Sequence, residues 1–230
     1  MLMRVAFAGA LILVHAVAQA GSLCVPPTVE RNSPHQFLVS MANALVYAKE
    51  GLDRVTEADT DLYSLVVVLR LQQSSYRCAA SQVMPYEASS DSIISASAQA
   101  TAGIFDRLSQ VDDEFVSQAK VLLEPDGSFS AGEMAERQAQ TQADLEQTWK
   151  VLIHAVALGT FAVVRADPIT GKMARLSLTA TERDEILAIL RSGFGRGVAD
   201  GIQAGQPALH ASAAALYQFL SNPKWQLRSR

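Results

Sequence analysis

The 230-residue chain holds 19 basic and 23 acidic residues, a formal charge of −4, and is 49% hydrophobic. That balance is too acidic and too evenly mixed to track a phosphate backbone, which excludes nucleic acid as a partner. The length is enough to bury a sizeable core, as one domain or two small ones.

At the N-terminus Met1-Leu2-Met3-Arg4 precedes an apolar run of about fourteen residues, Val5 to Ala18, interrupted only by His15. A bilayer-spanning helix needs roughly twenty, so the run reads as the apolar region of a signal peptide, with Arg4 as its charged flank. Ala18-Gln19-Ala20 offers small residues at the two positions a signal peptidase reads. The reading is a signal peptide over 1–20, a mature chain from Gly21, and an exported protein, periplasmic or extracellular. No later segment is long and apolar enough to span a membrane. An uncleaved anchor is the competing reading, and lipidation of Cys24 is disfavoured because Leu23 stands where a small residue is wanted. Cleavage leaves 18 basic and 23 acidic residues, a charge of about −5.

Cys24 and Cys78 are the only two cysteines. In an oxidising compartment an isolated pair is most simply a disulfide, the alternative being two buried thiols.

Residues 21–33 form a tail without periodicity. Ser33-Pro34-His35-Gln36 is a helix start: Ser33 caps, Pro34 suits the first helical position and Gln36 completes a capping box. Phe37, Met41, Leu45, Ala48 and Leu52 then recur at helical spacing. A second helix is predicted from near Thr56, with Glu57, Asp59 and Asp61 in its first turn. Leu62, Leu65, Val66, Leu69 and Tyr76 make its face, and Met84-Pro85 ends it. A third and longest helix follows a cap at Ser90 or Asp91. Its seam is Ile94, Ser97, Thr101, Ile104, Leu108, Val111, Phe115, Gln118 and Leu122, the spacing of a bundle or antiparallel coiled coil.

Pro125-Asp126-Gly127 predicts a turn, and Ser130 with Glu133 a further capping box, with Phe129 stapled to Met134. The next helix begins polar, and the stretch Glu136–Gln147 has little to bury. It is expected to project past the core or to line a partner surface. The apolar positions Leu145, Trp149, Leu152 and Val156 follow. Residues 161–166 and 173–178, separated by Asp167-Pro168-Ile169-Thr170-Gly171-Lys172, predict a β-hairpin that must pack on helices. The competing reading continues the helix to Ala166. Thr179 and Glu182 open another helix through a capping box, with Ile186, Leu190, Phe194, Val198 and Ile202 on one ridge. Gly193, Gly197, Gly201 and Gly205 recur every four residues beside that ridge. Interior helical glycine costs about 1 kcal/mol against alanine, so the glycines predict close packing of 180–204 against a last helix, 208–221. The alternative makes Gly193–Gly197 a loop approaching a ligand. No Gly-Lys-Ser/Thr follows, which argues against a phosphate cradle.

The fold expectation is mainly α, in one domain overall. A helical bundle over 34–160 holds two long antiparallel helices. One short β-hairpin follows over 161–178, then a C-terminal helical hairpin over 179–221 and a tail over 222–230. The mature histidines, His35, His154 and His210, stand far apart, and no glutamate has histidine three residues on, so no metal site is expected and no cofactor is assigned. Gly-x-Ser-x-Gly is absent, and no catalytic residue is assigned. Asp112-Asp113-Glu114 reads as the solvated outer face of the long helix. Glu182, Asp184 and Glu185 read as first-turn acids favoured by the helix dipole. The expected function is a non-enzymatic exported module binding a partner protein or a small apolar ligand. The alternative is an exported hydrolase whose site assembles from residues distant in sequence, His154 first among them.

Overall fold

A computed structural model describes Cys24, Pro27, residues 29–56, 62–123, nine single positions between 132 and 155, then 164–166, 173–175, 178–200 and 207–221. Of the expected features, the signal peptide over 1–20, the turn at 125–127, the cap at Ser130, the staple of Phe129 and Met134, His154, the hairpin loop, Gly201, Gly205 and the tail from 222 lie outside the described residues.

The described chain is mainly α. Helix α1 is Pro34–Thr56, α2 Leu62–Val83 and α3 Ser92–Leu123, with a 3-10 segment at Met84–Ala88 between α2 and α3. Helix α4 is Ala180–Phe194, α5 the four residues Gly197–Asp200, and α6 Pro207–Ser221. The described positions between 132 and 155 are all helical. Val164–Ala166 (β1) and Met173–Arg175 (β2) lie antiparallel with Arg165 opposite Ala174. Most of the rest of 161–178 lies outside the described residues.

The local signals explain most helix starts. Ser33 Oγ accepts from Gln36 N at 3.3 Å, whereas the Gln36 amide oxygen accepts from Glu30 N at 2.7 Å, so the expected box closes on Glu30 rather than on Ser33. Asp91 caps α3, its Oδ1 accepting from Ile93 N at 3.0 Å. Thr179 and Glu182 form a complete capping box at α4. Thr56 closes α1 rather than opening α2. Pro85 follows the last residues of α2 because its ring cannot continue the helix, and the chain tightens there into the 3-10 segment.

Apolar seams become the core. Phe37, Met41, Leu45, Ala48 and Leu52 of α1 are buried, as are Ile94, Ser97, Thr101, Ile104, Leu108 and Val111 of α3. Helices α2 and α3 run antiparallel: Tyr76 stacks on Phe105 at 6.4 Å, while Arg70 reaches Asp113 at 2.7 Å. Phe37 meets Tyr86 edge-on at 5.4 Å, and Tyr86 Oη accepts from Ser40 Oγ at 3.3 Å. Ser97 Oγ donates to the Ala155 carbonyl at 2.8 Å, which places Ala155 against α3.

The ridge Ile186, Leu190, Phe194 and Val198 is buried, but the expected single helix 180–204 is interrupted. It stops at Phe194, where Gly195 takes φ 71° as the C-cap. That left-handed conformation costs little without a Cβ. Beyond the break, α6 runs antiparallel to α4, with Arg191 against Tyr217 and Phe194 against His210.

Candidate functional site

The expected close approach of Gly193 is made to α1 rather than to the last helix. A Cβ on Gly193 would stand 2.9 Å from Val46 Cγ1 and 3.0 Å from Val46 Cβ. A second close approach escaped the glycine spacing altogether: a Cβ on Gly51 would lie 2.8 Å from Ser75 Cβ, where α1 meets α2. Gly197 begins α5.

The Cys24 and Cys78 sulfurs lie at disulfide distance, with Cα atoms 5.5 Å apart. The pairing joins the N-terminal tail to α2, where Ser81 Oγ stands 3.2 Å from Cys24 Sγ.

Asp112 departs most sharply from expectation. Asp113 and Glu114 face solvent as predicted, but Asp112 is 5% exposed and belongs to the inner face of α3. Helical geometry decides this: Asp112 follows Leu108 by four residues and precedes Val116 by four, and both are buried. Its Oδ2 has no hydrogen-bond partner among the described residues. Burial disfavours the charged carboxylate and pushes the Asp112 pKa up to about 8. Tyr76 is displaced far upward, first by burial and then by the Asp112 charge, against a hydrogen bond from Gln72 Nε2 at 3.0 Å.

Other polar side chains lie along the same α2–α3 seam. Gln73 Nε2 donates to the Ser109 carbonyl at 3.2 Å, and Arg77 Nε donates to Ser109 Oγ at 3.2 Å. Arg70 Nη1 bridges Gln73 and Asp113, holding the Asp113 carboxyl below the usual range. Chemically, this seam keeps protons at neutral pH: a neutral carboxylic acid beside a phenol.

The histidines divide. His35 is not isolated: its Nε2 lies 2.9 Å from Glu185 Oε2 and its Nδ1 3.7 Å from Glu182 Oε1. A sequence separation of 150 between His35 and Glu185 carries no spacing signal that would have joined them. Glu182 is held below its ordinary range by the Thr179 backbone N–H and hydroxyl, with His35 adding to them. Asp184 takes Arg183. His210 packs edge-on to Phe194 at 5.2 Å. Burial and then the Lys49 charge lower its pKa, and Asp53 opposes them. Among the described residues, no group of three or more His, Cys, Asp or Glu is placed to hold a metal ion. His35 illustrates why, since its two nitrogens point the two glutamates to opposite edges of the ring. Among the described residues no helix is long and apolar enough to cross a membrane.

What the fold defines among the described residues is thus a mainly α chain with a buried acid, Asp112, and a histidine, His35, set beside Glu182 and Glu185. No family model, curated protein or solved structure matches the chain.

Proposed function

We propose that the chain is an exported, non-enzymatic helical module that binds a protein partner through the described helical positions between 132 and 155. One observation carries this reading. Gln147, Val151 and Ala155 are spaced four apart and so share one side of a helix. Ala155 is fully buried and Val151 is 43% exposed, while Gln147 and the other described positions back to Gly132 are exposed. The side that docks on the bundle at Ala155 therefore continues into solvent, as a helix that projects past the core to meet a partner would have it.

Export rests on the signal-peptide pattern of residues 1–20, and the Cys24–Cys78 pairing is the covalent feature such a compartment permits. The reading includes cleavage before Gly21, a disulfide between the two cysteines, and a hairpin over 161–178 nucleated by the paired segments Val164–Ala166 and Met173–Arg175.

The test is site-specific photo-crosslinking in exporting cells from positions 147 and 151, with positions 99 and 106 on the exposed side of α3 as controls. A protein adduct at 147 and 151 alone is the expected result. Adducts of small-molecule mass would replace the protein partner with an apolar ligand, and equal labelling at all four positions would end the proposal.

A further inference from the structure

We infer that the N-terminal tail is an oxidation-gated strap: Asn32 and the Cys24–Cys78 bridge hold it as one unit, which seals the Phe37–Tyr86 end of the bundle only once the two cysteines are joined. The inference rests on the disulfide of the reading above and does not depend on the partner.

Both fastenings lie on the α2–α3 hairpin, far in sequence from the tail. Cys24 meets Cys78 near the end of α2. There Ser81 Oγ donates to the Cys78 carbonyl at 2.8 Å and stands 3.2 Å from Cys24 Sγ. At the other fastening Asn32 Oδ1 accepts from Ser90 N at 2.9 Å and from the Ser89 and Ser90 hydroxyls at 3.0 Å each. Ser89 N itself donates to the Tyr86 carbonyl at 2.9 Å. Asn32 therefore grips the connector directly after the buried tyrosine that Phe37 meets edge-on. Between the fastenings Val29 packs against the core. Two local bonds turn the chain at the base of the strap: Ser33 N donates to the Glu30 carbonyl at 2.9 Å, and Glu30 N to Gln36 Oε1 at 2.7 Å.

Neither fastening suffices alone. The Asn32 bonds are exposed, so water competes for the same donors. One half-buried valine returns little against the entropy of ordering a terminal segment. Together each fastening raises the effective concentration of the other, and by linkage the coupling runs equally in both directions. Asn32 presents Cys24 to Cys78, and the bridge keeps Asn32 on Ser89 and Ser90. Closure is a thiol–disulfide exchange. One cysteine thiolate attacks a disulfide oxidant, the second cysteine attacks the mixed disulfide, and the oxidant leaves as two thiols carrying both electrons. A reducing compartment keeps the strap open in the precursor, and an oxidising one closes it after export.

The protein recovered from exporting cells is equilibrated with reduced and oxidised glutathione, and its bridged fraction is read by thiol alkylation and mass. Asn32→Ala is expected to shift the equilibrium toward the dithiol roughly threefold to tenfold, the loss of about one net hydrogen bond. Gly193→Ala, which crowds the α1–α4 contact in both redox states, should leave the equilibrium unchanged. An unshifted Asn32→Ala, or an equal shift in Gly193→Ala, would overturn the strap. Amide exchange gives a second readout. Reduction should unprotect Ser90 N while the amides of α4 keep their protection; parallel loss in both, or loss in neither, would refute the inference. Two free thiols in the recovered protein would end the disulfide and the strap together, whereas a bridge indifferent to Asn32 ends the strap alone.

Discussion

Gly193 of α4 lies directly against the side chain of Val46 of α1, so closely that the glycine hydrogen occupies the only space available. The valine cannot swing aside cheaply, because a β-branched side chain in a helix has essentially one χ1 rotamer. Overpacking of this kind costs about 1–3 kcal/mol, against which alanine returns at most about 1 kcal/mol of helix propensity. Gly193→Ala is therefore expected to lose about 1–2 kcal/mol in denaturant unfolding. Adding Val46→Ala should recover part of that loss, with a favourable coupling of about 1 kcal/mol in the double-mutant cycle. An additive cycle would show that the two residues do not compete for space.

Asp112 sets a pH dependence of known sign. Its pKa rises from 3.8 in the unfolded chain to about 8 in the folded one. Between those values the native state binds the extra proton, so stability falls as pH rises across the window. The total change is on the order of a few kcal/mol. Asp112→Asn, which cannot ionise, should flatten the fall, measured as unfolding free energy at intervals from acid to mildly alkaline pH. A wild-type curve that rises over the same interval would contradict the buried neutral acid.

A disulfide between Cys24 and Cys78 would close a loop spanning a sequence separation of 54. The chain-entropy estimate for such a loop is roughly 4 kcal/mol. Replacing both cysteines by serine should lower the melting temperature, and reductant should bring the wild type down to the same value. A wild type indifferent to reductant would mean that the thiols are not joined.

Gly103, inside α3, is exposed, and a Cβ there would meet nothing within 4 Å. Gly103→Ala should therefore stabilise the protein by up to about 1 kcal/mol, through helix propensity alone. Thermal unfolding measures it directly, and a destabilised variant would reveal a neighbour that packs on this face.

The close-packed glycines, Asp112 and the cysteine pair differ in how far the sequence foretold them. The cysteine pairing was legible, because two cysteines allow a single intramolecular partner. The glycine spacing signalled close packing at Gly193, but α1 rather than α6 is the surface it meets. Gly51 carried no spacing signal, because a single glycine in an amphipathic run looks like any tolerated glycine. Asp112 was assigned to solvent because it begins an acidic triplet, yet its helical phase with Leu108 and Val116 pointed inward. Phase, rather than chemical type, was the signal that could have found it.

What the amino-acid order determined by itself is the set of local events. Thr179 with Glu182 and Asp91 mark helix starts, Pro85 follows the end of α2, and the apolar spacing of α1 and α3 names the buried face. Each rests on residues a turn or two apart, where backbone geometry alone fixes who meets whom. Tertiary structure decided the rest: that Gly195 breaks the ridge, that Gly193 rests on Val46, and that His35 finds Glu185 across 150 positions. Those contacts follow from which helices lie side by side and in which direction. Many sequences share the same local periodicity, so that choice is made by the packing of whole faces rather than by any single motif.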